Sequence, residues 1–159
     1  MGVTTQLSRF VVAGSVGLAV LTGQGWWSID WYPANTVPGQ HVHALAYVGD
    51  GNLVLIGAAM TLALGLLAIL PPESRRFAGA AIALTGAAMF GVTMYDIVNV
   101  PSLSDTILDA FIAKGSPTTE LYLASLASIL IGLAGAIIAA ARDEQISRYD
   151  SDEGVEAWA

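Results

Sequence analysis

The chain has 159 residues, of which 55% are hydrophobic and only 12% are charged, and its mean hydropathy is +0.64. Soluble domains carry about 25% charged residues, so this composition excludes an ordinary water-soluble fold. Six basic and thirteen acidic side chains give a net charge of -7, which excludes a basic surface for nucleic acid. The chain has no cysteine, which excludes disulfides, thiolate metal sites and thiol catalysis.

Most of the chain falls into four long apolar stretches, at about residues 10–27, 50–70, 76–98 and 120–141. At about 1.5 Å per residue, an apolar helix of roughly 20 residues crosses the hydrocarbon core of a bilayer. The sequence therefore predicts an all-α integral membrane protein, with four transmembrane helices in an up-down-up-down bundle over residues 1–141. The alternatives are a cleaved signal peptide for the first stretch and buried helices of a soluble core for any one stretch.

Small residues recur at intervals of four in these stretches. Small side chains let helix backbones approach closely, which favours helix association inside a membrane. The expected packing residues are Gly57, Thr61 and Gly65 in the second stretch, Gly79, Ala83, Ala87 and Gly91 in the third, and Ser128, Gly132 and Ala136 in the fourth. The alternative is that alanine and glycine are abundant enough here to produce such spacings by chance.

The basic residues are unevenly distributed. All except Lys114 lie in the N-terminal segment, the second connection or the C-terminal segment, namely Arg9, Arg75, Arg76, Arg142 and Arg148. Because cytoplasmic loops carry the excess of Lys and Arg, this pattern predicts a multi-pass protein of the cell membrane with both termini cytoplasmic. Aromatic residues at the opposite, outer helix ends are the expected interface anchors, namely Trp26, Trp27, Trp31, Tyr32, Tyr95 and Tyr122.

The second outer connection shows a helical pattern of its own. Pro101-Ser102 begins the segment, Leu103, Ile107 and Phe111 share one helical face, and Lys114-Gly115 ends it. This pattern predicts a short amphipathic helix in that loop.

Residues 142–159 are rich in aspartate and glutamate. Such a segment is typical of a solvated tail, and the basic residues place it on the cytoplasmic side. Together with the acidic overall composition, it resembles proteins of salt-loving archaea or of their viruses.

Two carboxylates lie at the ends of apolar stretches. Asp50 and Asp96 are each 23 residues from Glu73, which is near the centre of the connection between the second and third stretches. In straight antiparallel helices they would lie at equal depth, with Asn52 and Asn99 nearby. They could bind a cation or share one proton. Alternatively, they mark the helix ends and face different directions.

The sequence His41-Val42-His43 is a second candidate site. In an extended segment the two histidines would lie on the same face, as two ligands of one metal ion must. The alternative is a pair of loop histidines that only form hydrogen bonds.

No GxSxG, HExxH or Gly-rich phosphate-binding motif is present, which favours a non-enzymatic protein, and the sequence identifies no cofactor. The first functional hypothesis is a structural or accessory membrane subunit that contacts the lipid bilayer and either a second copy or another membrane protein. The second is a small transporter or an ion- or proton-binding protein that uses Asp50 and Asp96. The third is a membrane metal-binding protein that uses His41 and His43.

The layout of four spans with a longer, tryptophan-rich first outer connection resembles that of claudin-type and other tetraspan proteins. Claudins have a paired-cysteine motif after the loop tryptophan, and no cysteine accompanies Trp26, Trp27 or Trp31. The resemblance therefore concerns topology alone and implies no function or site residue.

Overall fold

The structure is a computed structural model that describes residues 2–31, 40–43, 50–69, 72–108 and 113–141. This part of the chain is mostly helical and contains α1 (Val3–Thr22), α2 (Asp50–Leu67), α3 (Pro72–Leu108) and α4 (Thr119–Ala140). Its strands are β1 (Gly25–Trp31), β2 (Gln40–His43) and β3 (Ala113–Pro117). All four helices are long and apolar enough to cross a membrane, as the sequence predicts. The acidic segment 142–159 and Tyr32 lie outside the described residues.

The four helices pack into a bundle, in which α1 contacts α2 and α4, α2 contacts α3, and α3 contacts α4. The interface between α3 and α4 is the most extensive. The interior contains aliphatic side chains from all four helices, including Val11, Leu18, Val54, Ile82, Leu121, Ile131 and Ile138. One continuous core therefore joins the four helices.

The bundle is apolar on its outer surface as well as inside. Leu84 is 74% exposed and Phe77 is 77% exposed, and leucine, isoleucine and valine side chains are exposed along every helix. Buried hydroxyl groups include those of Ser15, Thr61 and Ser128. Large apolar groups outside and small polar groups inside are the distribution expected of helices that pack in lipid.

The three strands form a sheet in the order β2-β1-β3, with both pairs antiparallel. β1 reads GWWSIDW, and its aromatic and β-branched residues favour extended backbone. The sheet connects to the beginning of α4 through Thr118, whose N–H donates to the carbonyl of Trp26 at 2.9 Å. The Thr118 hydroxyl also donates, to the carbonyl of Gly25 at 2.8 Å. The fold is thus mostly helical rather than all-α, because the aromatic segment after α1 pairs with two other strands.

The first helix begins and ends earlier than the first apolar stretch. The sequence predicts a span at about 10–27, whereas α1 covers Val3–Thr22. The hydropathy pattern locates the apolar part of a helix and not its first residue. Polar residues such as Gln6 and Arg9 are compatible with helical backbone, so the helix begins before the apolar stretch does. At the other end, Gly23 and Gly25 precede the tryptophans of β1, which are strand residues here.

The predicted separate amphipathic helix in the second outer connection is not formed as such. Helix α3 runs without interruption from Pro72 to Leu108, so that residues 101–108 continue it. Lys114 and Gly115, predicted to end that helix, belong to β3. The periodicity of this segment correctly indicated helix, but its proline at position 101 does not mark a boundary here.

Candidate functional site

The structure brings the carboxyl groups of Asp50 and Asp96 together, close enough for a hydrogen bond between the two side chains. Asp96 is only 3% exposed, and Asp50 is partly buried. The Oδ1 atom of Asp96 has no hydrogen-bond partner within the described part of the chain. The centre of the site is therefore a contact between two acidic groups, one of them almost fully inaccessible to solvent.

The register of α2 against α3 accounts for this contact. Asp50 is the first residue of α2, and the chain turns into α3 at Pro72, a residue well suited to the first helical position. Gly57 and Met89, each 16 residues from Glu73, also face each other. A Cβ added at Gly57 would lie 2.6 Å from Met89 Sδ. The two helices thus pair residues equidistant from their turn, which places Asp50 beside Asp96.

The two asparagines predicted beside the carboxyl groups lie in different surroundings. Asn52 is exposed on α2. The Asn99 amide donates to the carbonyl of Tyr95 in its own helix at 2.9 Å. The contact that joins α2 to α3 at this site is the one between the two carboxyl groups.

An apolar groove of about 430 Å³ lies between α2 and α3. Its walls include Leu53, Ile56 and Met60 from α2, together with Leu84, Met89 and Val92 from α3. The only side-chain hydroxyl in its lining is that of Thr85, which donates to Ala81 O at 2.8 Å in its own helix. The groove therefore offers an apolar surface without a free polar group.

The two histidines lie in β2, where His41 pairs with Ser28 and His43 with Gly25 of β1. Their side chains are outside the described residues, so the metal-site hypothesis stays a prediction. Elsewhere in the described part of the chain, no group of three or more His, Cys, Asp or Glu residues could hold a metal ion.

The predicted packing residues occupy several different environments. A Cβ at Gly79 would lie 2.5 Å from the backbone N of Ala139, and Gly132 faces Ala83 and Ala87 across the α3–α4 interface. A Cβ at Gly65 would contact Val11 and Val12 of α1 at 3.1 Å. Thr61 is fully buried and Ser128 likewise, whereas Gly91, Ala87 and Ala136 are exposed.

The predicted interface anchors also differ from one another. Tyr95 and Tyr122 are exposed on α3 and α4, as a lipid-facing anchor would be. Trp26 is only 2% exposed, and its indole N–H donates to the carbonyl of Leu21 at 3.0 Å. Trp26 is therefore part of the protein core, where the end of α1 meets β1. Trp27 is partly buried, and the side chain of Trp31 lies outside the described residues.

Sequence reasoning missed the groove and the sheet. The groove depends on the rotation of α2 and α3 about their axes, which no residue pattern specifies. The sheet had a signal: the aromatic run in GWWSIDW, bounded by glycine, is typical of a strand.

The sequence matches no known family model, and no curated protein matches it closely enough to count as a relative.

Proposed function

We propose that the chain is an integral membrane protein that crosses the bilayer four times, up-down-up-down, with both termini in the cytoplasm. The exposed apolar side chains of all four helices support insertion, because water would not tolerate so large an apolar surface. The basic residues support the orientation, since Arg9 lies in the first half of α1 and Arg75 in the first turn of α3, in each case far along the helix from the sheet.

We further propose that the protein binds a proton at the pair formed by Asp50 and Asp96, and acts as a small proton-binding or transport protein. The contact between the two carboxyl groups is the observation that supports this function. Ionised carboxylates only accept hydrogen bonds, so two of them in contact repel each other. One shared proton turns that repulsion into a hydrogen bond.

The same contact favours a proton over a metal ion. Calcium takes six to eight oxygen ligands, and magnesium takes six in near-octahedral geometry. The described part of the chain offers two carboxyl groups at this position and no third acidic or histidine ligand beside them. A proton needs only the two oxygens that already meet.

The positions of the two residues suggest which one donates. Asp50 begins α2, where the positive end of the helix dipole stabilises a negative charge. Asp96 lies within α3 and is almost fully buried, so it is the better location for the neutral acid. Asparagine at position 96 can replace that acid, because its amide N–H can donate to Asp50 without a proton being bound.

Infrared spectroscopy of the protein in lipid tests this proposal. We expect the wild type at neutral pH to show a protonated carboxylic acid band that shifts in D₂O, and we expect Asp96→Asn to lose the band and remain folded. Glu120→Gln is the matched control, since it removes a single carboxyl group from the first turn of α4 and should leave the band unchanged. A wild type without the band would contradict the proposal.

The role of accessory subunit stays a second prediction. It rests on the small-residue stripes, the outer aromatic segment and the scarcity of charge in the helices, and the glycines at positions 79 and 132 are used within the chain, between α3 and α4. Outward-facing small residues remain available to a partner helix, among them Gly17 and Gly91, where an added Cβ would meet no atom within 4 Å.

A further inference from the structure

The apolar groove between α2 and α3 leads toward the carboxyl pair. Leu53, at one end of the groove, is three residues from Asp50, and Val92 is four residues from Asp96. Residues three or four apart share a face of a helix, so the groove and the pair lie on the same sides of α2 and α3. At about 1.5 Å per residue, the wall from Leu53 to Met60 is roughly 10 Å long.

The groove is also open to the outside of the bundle. Leu53, Ile56 and Met60 are about half exposed, and Leu84 is 74% exposed. A ligand could therefore enter sideways from surrounding lipid, with its apolar part along the groove and its head group at the buried carboxyl pair.

The charge of the pair defines the head group. With one shared proton the two carboxyl groups carry a net negative charge, and Oδ1 of the buried Asp96 has no hydrogen-bond partner in the described part of the chain. A cationic head group could replace the proton and pair with both carboxylates, which no longer need a hydrogen bond between them. An anionic head group would be repelled.

We propose that the groove and the Asp50–Asp96 pair together form a binding site for a single-chain amphiphilic cation, whose apolar chain lies between α2 and α3 and whose cationic head displaces the shared proton. This inference rests on the proton-binding function proposed above, and it adds the chemical class of the ligand. Binding of the cation and of the proton is then mutually exclusive, which is the requirement for exchanging one for the other.

Equilibrium binding of radiolabelled decylammonium, whose N–H groups can donate to the carboxylate oxygens, tests the site in phosphatidylcholine nanodiscs, with empty nanodiscs as background. The double variant Asp50→Asn/Asp96→Asn removes the charge, and Ala88→Phe fills the groove from its exposed wall. We expect each to weaken binding by roughly tenfold or more. Ala80→Phe makes the same change at an exposed position of α3 outside the groove and should bind as the wild type does.

A second readout separates this inference from the function on which it rests. Saturating decylammonium should remove the protonated carboxylic acid band of the wild type, whereas neutral decanol should neither remove the band nor displace the cation. If the band is present but the cation binds no better than to empty nanodiscs, or binds equally to Ala88→Phe, the inference is wrong and the proton site stands. If the band is absent although both variants weaken cation binding, the shared proton is wrong and the cation site stands.

Discussion

At the scale of single residues, the interior is organised by a few polar groups that find partners within the helices. The hydroxyl groups of Ser15 and Thr61, both buried, meet at 2.8 Å between α1 and α2. Each hydroxyl also lies near a carbonyl of its own helix, Ser15 at 2.8 Å from Val11 O and Thr61 at 3.1 Å from Gly57 O. Because each hydroxyl has one proton, the bond between the helices forms when one of the two donates to the other rather than to its own helix. Such hydroxyls cost little to bury because a backbone carbonyl one turn away always accepts. In contrast, Oδ1 of Asp96 has no hydrogen-bond partner in the described part of the chain, and the Asp96 carboxyl group contacts Asp50 on the neighbouring helix.

The bond between Ser15 and Thr61 should contribute to stability. Thr61→Val keeps the side-chain shape and removes the hydroxyl, so we expect the free energy of unfolding to fall by about 0.5–1.5 kcal/mol. Thr93→Val is the control, because Thr93 is equally buried but bonds the carbonyls of Met89 and Phe90 in its own helix. Unfolding in mixed micelles would measure both changes. Equal effects of the two substitutions would show that the interhelical bond contributes nothing of its own.

At the scale of helices, α3 and α4 approach each other along a line of small residues. The contacts involve Gly79, Ala83 and Gly86 on α3, and Ser128, Gly132, Gly135 and Ala139 on α4. Their spacings alternate between four and three, which keeps them on one face. A strict spacing of four turns by about 40° per step around a helix of 3.6 residues per turn. That drift explains why Ala87, Gly91 and Ala136 are exposed although they belong to regular four-residue patterns.

The closest part of this interface should not tolerate even a methyl group. A Cβ at Gly135 would lie 2.6 Å from the backbone N of Ala83, so Gly135→Ala must move α3 away from α4. We expect a loss of about 1–3 kcal/mol in the free energy of unfolding. Gly132→Ala is a matched control three residues earlier, where the nearest atoms would be at 3.5 Å, an ordinary contact. A Gly135→Ala protein as stable as Gly132→Ala would contradict the close approach.

At the scale of the whole molecule, the sheet distinguishes one end of the helix bundle from the other. In the proposed up-down-up-down arrangement the sheet lies at one end of the bundle, because the strands follow α1, precede α2 and connect α3 with α4. At the other end, Arg75 donates to the carbonyl of Ala68 in the turn between α2 and α3. The carboxyl pair lies toward the sheet end, because Asp50 begins α2. In the proposed orientation, the pair would therefore be reached from the outer side of the membrane.

The absence of cysteine makes this orientation directly testable with single-cysteine variants. The exposed positions of Gly2, Gln24 and Ser74 sample both ends of the bundle. In intact cells, we expect a membrane-impermeant maleimide to label Gln24→Cys and to label Gly2→Cys and Ser74→Cys only after permeabilisation. Labelling of Gln24→Cys and Ser74→Cys from the same side would rule out the up-down-up-down arrangement, and the reverse pattern would invert the orientation.

The sequence alone determined the number of long apolar helices and their approximate positions, because length and hydropathy are sums over local residues and need no knowledge of packing. It also supplied the equal separations of Asp50 and Asp96 from Glu73, a matter of counting. Only the tertiary structure decided which faces of the helices meet. The close approach at Gly79 and Gly135 fixes how α3 faces α4, and the contact of Gly57 with Met89 fixes how α2 faces α3. The second of these arrangements places the two carboxyl groups in contact, with the groove beside them. The sheet likewise required tertiary pairing, because β1 finds its partners in β2 and in β3, which lies more than 80 residues further along the chain.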